Sequence, residues 1–309
     1  MKTSVIICTY NRSVSLKRTL ESLWKMSGLE SIDWELIIVD NNSSDNTHDV
    51  VNNFIQSSKF PCKYIYENKQ GLSYARNKGI AEATGEILSF TDDDVIVEKY
   101  WLQNIRNEFK NKEVACIGGK ILPIWENPQP AWLRGDLLQF LALQDLGEEK
   151  IELDSPVIWG ANLSIRSSMF KKYGLFDPTL GNIEGKLYGG EETKFVRMLL
   201  ENGENVLYCP DILVHHCIPG FRMKKSYFRK WVYDKGELKA IQMEGYRSRN
   251  IRGIPFYVIR EAGGDFIRYL RKQALSPRSA FQEQLILIHK VGMMVGRWKY
   301  PNGQAGSRT

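Results

Sequence analysis

The chain has no run of the roughly 18 to 20 apolar residues that would cross a bilayer, so an integral membrane protein is not expected. Its five cysteines, Cys8, Cys62, Cys116, Cys209 and Cys217, are odd in number and contain no CxxC pair. That spacing excludes a disulfide framework and a zinc knuckle, and leaves reduced, mostly buried thiols. No GxGxxG follows the first apolar run and no GxxxxGK[ST] occurs, so the glycine cradles of dinucleotide and P-loop proteins are missing. The opening MKTSVIICTYNRS has too short an apolar stretch for a secretory leader, and a cytoplasmic location is expected. With 43% hydrophobic and 25% charged residues, the chain is neither collagen-like, low in complexity nor wholly disordered.

What is present begins with an uneven distribution of charge. Residues 221–309 hold 19 Lys and Arg against 6 Asp and Glu, whereas residues 1–220 hold 23 against 30. A basic part joined to an acidic part predicts a break near residue 220 and an anionic partner for the tail. The tail also shows amphipathic helical spacing, as in Phe228, Trp231 and Val232 or Phe266, Ile267 and Leu270. Packing on the rest of the protein is the expected fate of most of these helices. An anionic membrane surface is the other, with 285–298 (LILIHKVGMMVGRW) the foremost segment for insertion and a peripheral position at the inner membrane face. No nucleic-acid-binding motif accompanies the charge.

Along residues 1–122 strand and helix signals alternate. SVIICTY, ELIIVD, the segment around Tyr64–Tyr66, EILSF and 114–122 read as strands, separated by helical spacing with Ser13 as the first N-cap. Such alternation implies βαβ units and a mostly parallel sheet flanked by helices, with ligands at the carboxyl ends of the strands. Those ends carry Thr9-Tyr10-Asn11-Arg12, Asp40-Asn41-Asn42 and Asp92-Asp93-Asp94. Residues 123–156 are punctuated by prolines and read as an irregular excursion. Order returns in a strand over 157–165, a helix after Gly189-Gly190, and two short strands, 206–208 and 212–216.

Three consecutive carboxylates at a strand end repel one another unless a cation offsets them, and oxygen ligation suits Mg2+ or Mn2+. An imidazole from His215 or His216 could join them; a solvated acidic turn is the alternative. Asp40 suits a base or ribose contact or a capping turn, and Arg76 a phosphate or a salt bridge. Glu191 and Glu192, behind two glycines, are either first-turn acids favoured by the helix dipole or a base aimed at a substrate hydroxyl. Trp125, Trp132 and Trp159 are platforms for sugar rings or core residues.

Taken together, CTYNR, VDNNSSDNT, GLSYARNKGI, FTDDD, WGAN, YGGEETKF and VHHCIP stand in the order and spacing of family 2 glycosyltransferases, which residues 1–220 resemble. The resemblance implies a GT-A fold and an inverting, metal-dependent, hexosyltransferase-type enzyme of polysaccharide or glycoconjugate biosynthesis. Its donor would be a nucleotide-diphosphate sugar, with a UDP-sugar expected, and its acceptor a glycan or a lipid-linked hydroxyl. It divides the chain into a catalytic domain, 1–220, with a donor half (1–122) and an acceptor half (123–220), and a helical region, 221–309. Thr9, Asn11, Arg12, Asp40, Arg76, Asp92 and Asp93 then resemble donor-binding residues, and Asp94 and His216 metal ligands of a DxD-type site. Glu192 stands where many members carry Asp in GGED and resembles the catalytic base. Glu191, Trp159 and Trp132 would meet the acceptor. A metal-dependent phosphohydrolase and a non-catalytic nucleotide-sugar-binding scaffold are the competing classes.

Overall fold

The computed structural model describes residues 1–30, 32–183, 185–243, 250–251, 253–276 and 279–300. They divide into two units, one drawn from residues 1–128, 135–183 and 189–219, the other from 129–134, 185–188 and 220–300.

In the first unit the β-branched runs form strands buried on both faces. The elements in chain order are β1 (Thr3–Thr9), α1 (Ser13–Trp24), β2 (Trp34–Asp40), α2 (Thr47–Ser57), β3 (Cys62–Tyr66), α3 (Leu72–Glu82), β4 (Ile87–Asp92), β5 (Val95–Val97) and α4 (Trp101–Glu108). They continue with β6 (Val114–Trp125), β7 (Ile151–Glu152), β8 (Asn162–Arg166), α5 (Ser167–Tyr173), α6 (Glu191–Glu201) and β9 (Asn205–Ile218). One sheet runs β3-β2-β1-β4-β8-β6-β9-β5, with β7 beside β9. The β1, β2, β3, β4 block is parallel, β6 is parallel to β9, and β8 is antiparallel to both its neighbours.

Alternation along the strands sorts the core into two layers. Val5, Ile7, Leu36 and Ile38 pack with Leu16, Leu20, Trp101 and Ile105 of α1 and α4. Ile6, Ile37, Val39 and Phe90 pack with Ala75, Phe170, Phe195 and Leu199 of α3, α5 and α6. Asn162, at the start of β8, ties three segments together: its amide accepts from Trp101 Nε1 at 2.9 Å and donates to the carbonyls of Lys120 and Ile212.

Several local expectations change. Ser13 is the first helical residue rather than the cap, and its N–H is met from outside the helix by Asp45 Oδ2 at 2.9 Å. β6 runs on through Pro123; past Gly118 it no longer pairs with β8, where a residue without an N–H is tolerated. The two short strands expected over 206–216 are the single strand β9, whose register against β6 shifts between Gly119 and Lys120, so that Pro210-Asp211 is a bulge and not a break. Residues 157–161 lie outside any strand; only β8 is extended there.

The second unit holds α7 (Lys225–Gln242), α8 (Phe256–Leu275) and α9 (Ala280–Lys299), with α9 packed on both others. Helices α7 and α9 approach closely through glycine: a Cβ on Gly236 would stand 2.1 Å from the His289 carbonyl oxygen, and one on Gly292 2.3 Å from that of Tyr233. Phe281, Leu285 and Met293 are buried. Within 285–298 Leu285 and Met293 are thus core, while Ile286, Val291 and Trp298 remain exposed. Trp132 lies in this unit, its ring edge-on to Phe228 and Phe281, each 5.1 Å away between centroids. Among the described residues no helix is long and apolar enough to cross a membrane.

Candidate active site

The carboxyl ends of β1, β2 and β4 converge, and hydrogen bonds rather than apolar contacts hold their loops. Asn11 adopts φ +51°, a left-handed conformation that asparagine tolerates, and its side-chain oxygen accepts the Ser44 N–H at 2.7 Å. Asp40 is buried; its two oxygens accept the Ser43 N–H at 2.9 Å and the Tyr64 hydroxyl at 2.7 Å. The neighbouring Asn41 donates to the carbonyls of Glu67 and Lys69 and accepts the Gly71 N–H, which fixes the entry to α3. Sequence reading placed Asn41 in a polar cluster without a role; an amide beside a strand-end acid was the signal.

The three aspartates after β4 are divided between two arginines. Arg12 Nη1 donates to Asp93 Oδ1 at 2.9 Å and to Asp94 Oδ2 at 2.8 Å, and Thr9 Oγ1 donates to Asp93 Oδ2 at 2.8 Å. Part of the charge that sequence reasoning assigned to a cation is thus offset by Arg12. Burial, and after it the Asp94 charge, push Asp93 up to about 6 against the pull of Arg12. Asp92 is also raised, by burial first, with Arg76 opposing.

Arg76, only 3% exposed, is the hub of the site. Its guanidinium donates to Glu191, approaches Asp92 Oδ1 at 3.4 Å and Glu192 Oε2 at 3.9 Å, and lies 5.9 Å from the ring centroid of Phe176. Burial disfavours its charge, but Glu191, Asp92 and Glu192 outweigh that and raise its pKa. The space for the guanidinium exists because residue 160 is glycine: a Cβ there would stand 2.1 Å from Nη2.

Glu191 and Glu192 open α6 behind Gly189 at φ +49° and Gly190 at φ +92°, a turn that side chains with a Cβ rarely adopt. Burial, together with the Glu192 charge, pushes Glu191 up to about 8 against the attraction of Arg76. Glu192 is 6% exposed, and its Oε2 has no hydrogen-bond partner among the described residues. A buried carboxylate oxygen without a donor is costly, and Glu191 Oε2 is a second such oxygen beside it.

His216 Nε2 lies 3.1 Å from Asp94 Oδ1, while His215 Nδ1 faces Glu98 at 3.4 Å. Consecutive strand residues point to opposite faces, so only one of the two can stand beside Asp94. Among the described residues no three carboxylate, imidazole or thiol groups form a ready-made metal cage. Asp94 with His216 nevertheless suits Mn2+ or Mg2+, since such ions in phosphate chemistry take few protein ligands and complete their shell with substrate phosphates and water.

Trp159, partly buried, lines a cleft of about 650 Å3 with Pro156, Leu138, Gln144 and Thr193, the last on the first turn of α6 after Glu192. Direct contacts join Thr9, Arg12, Asp93, Asp94 and His216 in one polar cluster and Arg76, Asp92, Glu191 and Glu192 in a second, and the two meet along the chain at Asp92-Asp93. Asn11 and Asp40 brace its loops, and Trp132 belongs to the aromatic cluster of the other unit.

Known proteins resemble this chain in sequence and in fold. A glucosyl-dolichyl phosphate glucuronosyltransferase of Haloferax volcanii is 25% identical over 228 residues, covering 72% of this chain and 71% of that protein. The succinoglycan biosynthesis protein ExoM of Rhizobium meliloti is 26% identical over 233 residues, covering 75% and 72%. A mannosyltransferase of Pyrobaculum calidifontis, solved in complex with GDP-Man and Mn2+, superposes with a TM-score of 0.61 at 17% identity, over 96% of this chain and 87% of that one. The likeness is one of fold, and the fold is GT-A. The sequence pattern described as Glycosyl transferase family 2 matches residues 4–174. The chain is a glycosyltransferase and belongs to glycosyl transferase family 2.

Proposed function

We propose that this glycosyltransferase moves a sugar from a nucleotide-diphosphate donor to a hydroxyl of a lipid-linked or polysaccharide acceptor, with inversion at the anomeric carbon. The observation that carries this reading is the Glu192 carboxylate: buried, at a helix N-terminus, with one oxygen left without a hydrogen-bond partner. Such an oxygen can accept the proton of an acceptor hydroxyl as that hydroxyl attacks the anomeric carbon from the face opposite the leaving group. Arg76 and Glu191 hold the first turn of α6 in place, so the base is oriented before the acceptor arrives. The nucleotide lies against the β1 and β2 loops, with Thr9, Asn11, Arg12 and Asp40 shaping its seat, and Asp92 directed to the ribose. Asp94 and His216 would hold a divalent cation, whose charge would offset that developing on the leaving diphosphate. Trp159 and the cleft beside it receive the acceptor. The relatives support this class of chemistry: one is named for a dolichyl-phosphate-linked sugar substrate, one for polysaccharide biosynthesis.

Thermal unfolding with a panel of nucleotide sugars, with and without Mn2+, tests the donor and metal together. A donor at about 100 times its dissociation constant adds about 2.7 kcal/mol to the folded state. One donor should therefore raise Tm by several degrees only with metal, and Asp94→Asn should remove the metal-dependent part. Equal shifts for Asp94→Asn and wild type would remove Asp94 from the metal site.

A further inference from the structure

Helix α8 presents two unlike faces. Val258, Ala262 and Asp265 are buried, at the spacing of one helical stripe. About a third of the way round the helix, Phe256, Phe266, Ile267 and Leu270 are each about half exposed, at 49%, 49%, 53% and 48%. At 3.6 residues per turn these four and Ile259 fall within an arc of roughly 100°, together with Gly263 and Ala274. Gly263 has open space where a side chain would stand, so no described residue packs there. Arg260 and Arg271 follow on one edge of the arc, with Arg268 and Lys272 beyond them. Arg268 pairs with Asp265 and Glu283, whereas Arg271 and Lys272 form no ion pair among the described residues.

A dimer interface would bury such an apolar arc but give the adjoining cations no partner of opposite sign, because a second copy brings the same basic region of 19 Lys and Arg against 6 Asp and Glu. A bilayer with anionic headgroups satisfies both: the aromatic and aliphatic side chains enter the boundary between headgroups and acyl chains while Arg260 and Arg271 remain among the phosphates. We infer that the exposed face of α8 is a docking surface for an anionic lipid bilayer, with the helix lying in the interface. Helix α9 packs against α7 and α8, and its 285–298 segment leaves Ile286, Val291 and Trp298 exposed. This inference goes beyond the transfer reaction and does not depend on it.

The test is flotation of the full-length protein with vesicles of phosphatidylcholine alone and of phosphatidylcholine with phosphatidylglycerol. Binding is expected only to the anionic vesicles and should weaken with salt. Each apolar side chain on the arc contributes about tenfold to the affinity. Ile267→Glu with Leu270→Glu should therefore weaken binding by about 100-fold, with the far-ultraviolet circular dichroism and Tm of the wild type. Phe266→Trp, a milder change, should show a blue shift in emission on adding anionic vesicles. Undiminished binding of the folded double variant overturns the proposal, as does the absence of any wild-type binding. A concentration-dependent dimer that the double variant abolishes would assign the face to self-association instead.

Discussion

Arg76 has almost no water around its guanidinium, so Glu191, Asp92 and the face of Phe176 must supply what solvent would. Burying such a cluster is worthwhile only when each charge is paired, and removing room for one member strands the others. Gly160→Ala puts a methyl group 2.1 Å from Nη2 and should cost about 1–3 kcal/mol in unfolding free energy, with weaker donor binding. Denaturant unfolding and donor titration check this; an unchanged midpoint and affinity would mean that Arg76 is free to move. Arg76 was legible in the sequence as the basic residue near the rim, but its main partner was not. Glu191 lies 115 residues away, and no local pattern links the two. Arg12 taught the same lesson. Three adjacent aspartates pointed to a cation, and the sequence offered no means of seeing that an arginine one strand away already bridges two of them.

At the scale of elements, the beginning of β2 is anchored by a buried acid. Glu35 accepts the Ser4 hydroxyl at 2.8 Å and the Thr84 N–H and hydroxyl at 2.8 and 2.7 Å, and pairs with Lys63 at 3.0 Å. Burial alone would raise its pKa, yet these donors lower it to about 2 from an unfolded value of 4.5. The folded value lies below the unfolded one, so the anchor stabilises fully above pH of about 4.5 and weakens as pH falls towards about 2. Glu35→Gln should lose about 2–3 kcal/mol at pH 7 and much less at pH 3, measured by denaturant unfolding at both. An equal loss at the two values would show that packing and not charge is responsible. Strands β1 and β2 were legible because short β-branched runs buried on both sides have few other solutions. Strand β9 was read as two pieces, since Pro210-Asp211 looks like a turn until β6 lies alongside with its own shift in register. The apolar stripe of α9 had the same periodicity whether a bilayer or another helix covered it. The close fit of Gly236 and Gly292 against facing backbone shows which side of α9 another helix covers, and it depends on the fold.

For the whole molecule, the uneven charge of the sequence corresponds to two different tasks. The first unit concentrates carboxylates around two arginines and leaves one oxygen each of Glu191 and Glu192 without a hydrogen-bond donor; the second exposes an apolar arc edged by arginines. The central claim is that Glu192 takes the acceptor proton, and the most direct measurement compares wild type with Glu192→Gln once donor and acceptor are in hand. Loss of a positioned base costs about 10²- to 10⁴-fold in rate, so kcat should fall by that factor with donor affinity unchanged. Transfer by Glu192→Gln at the wild-type rate would contradict the account.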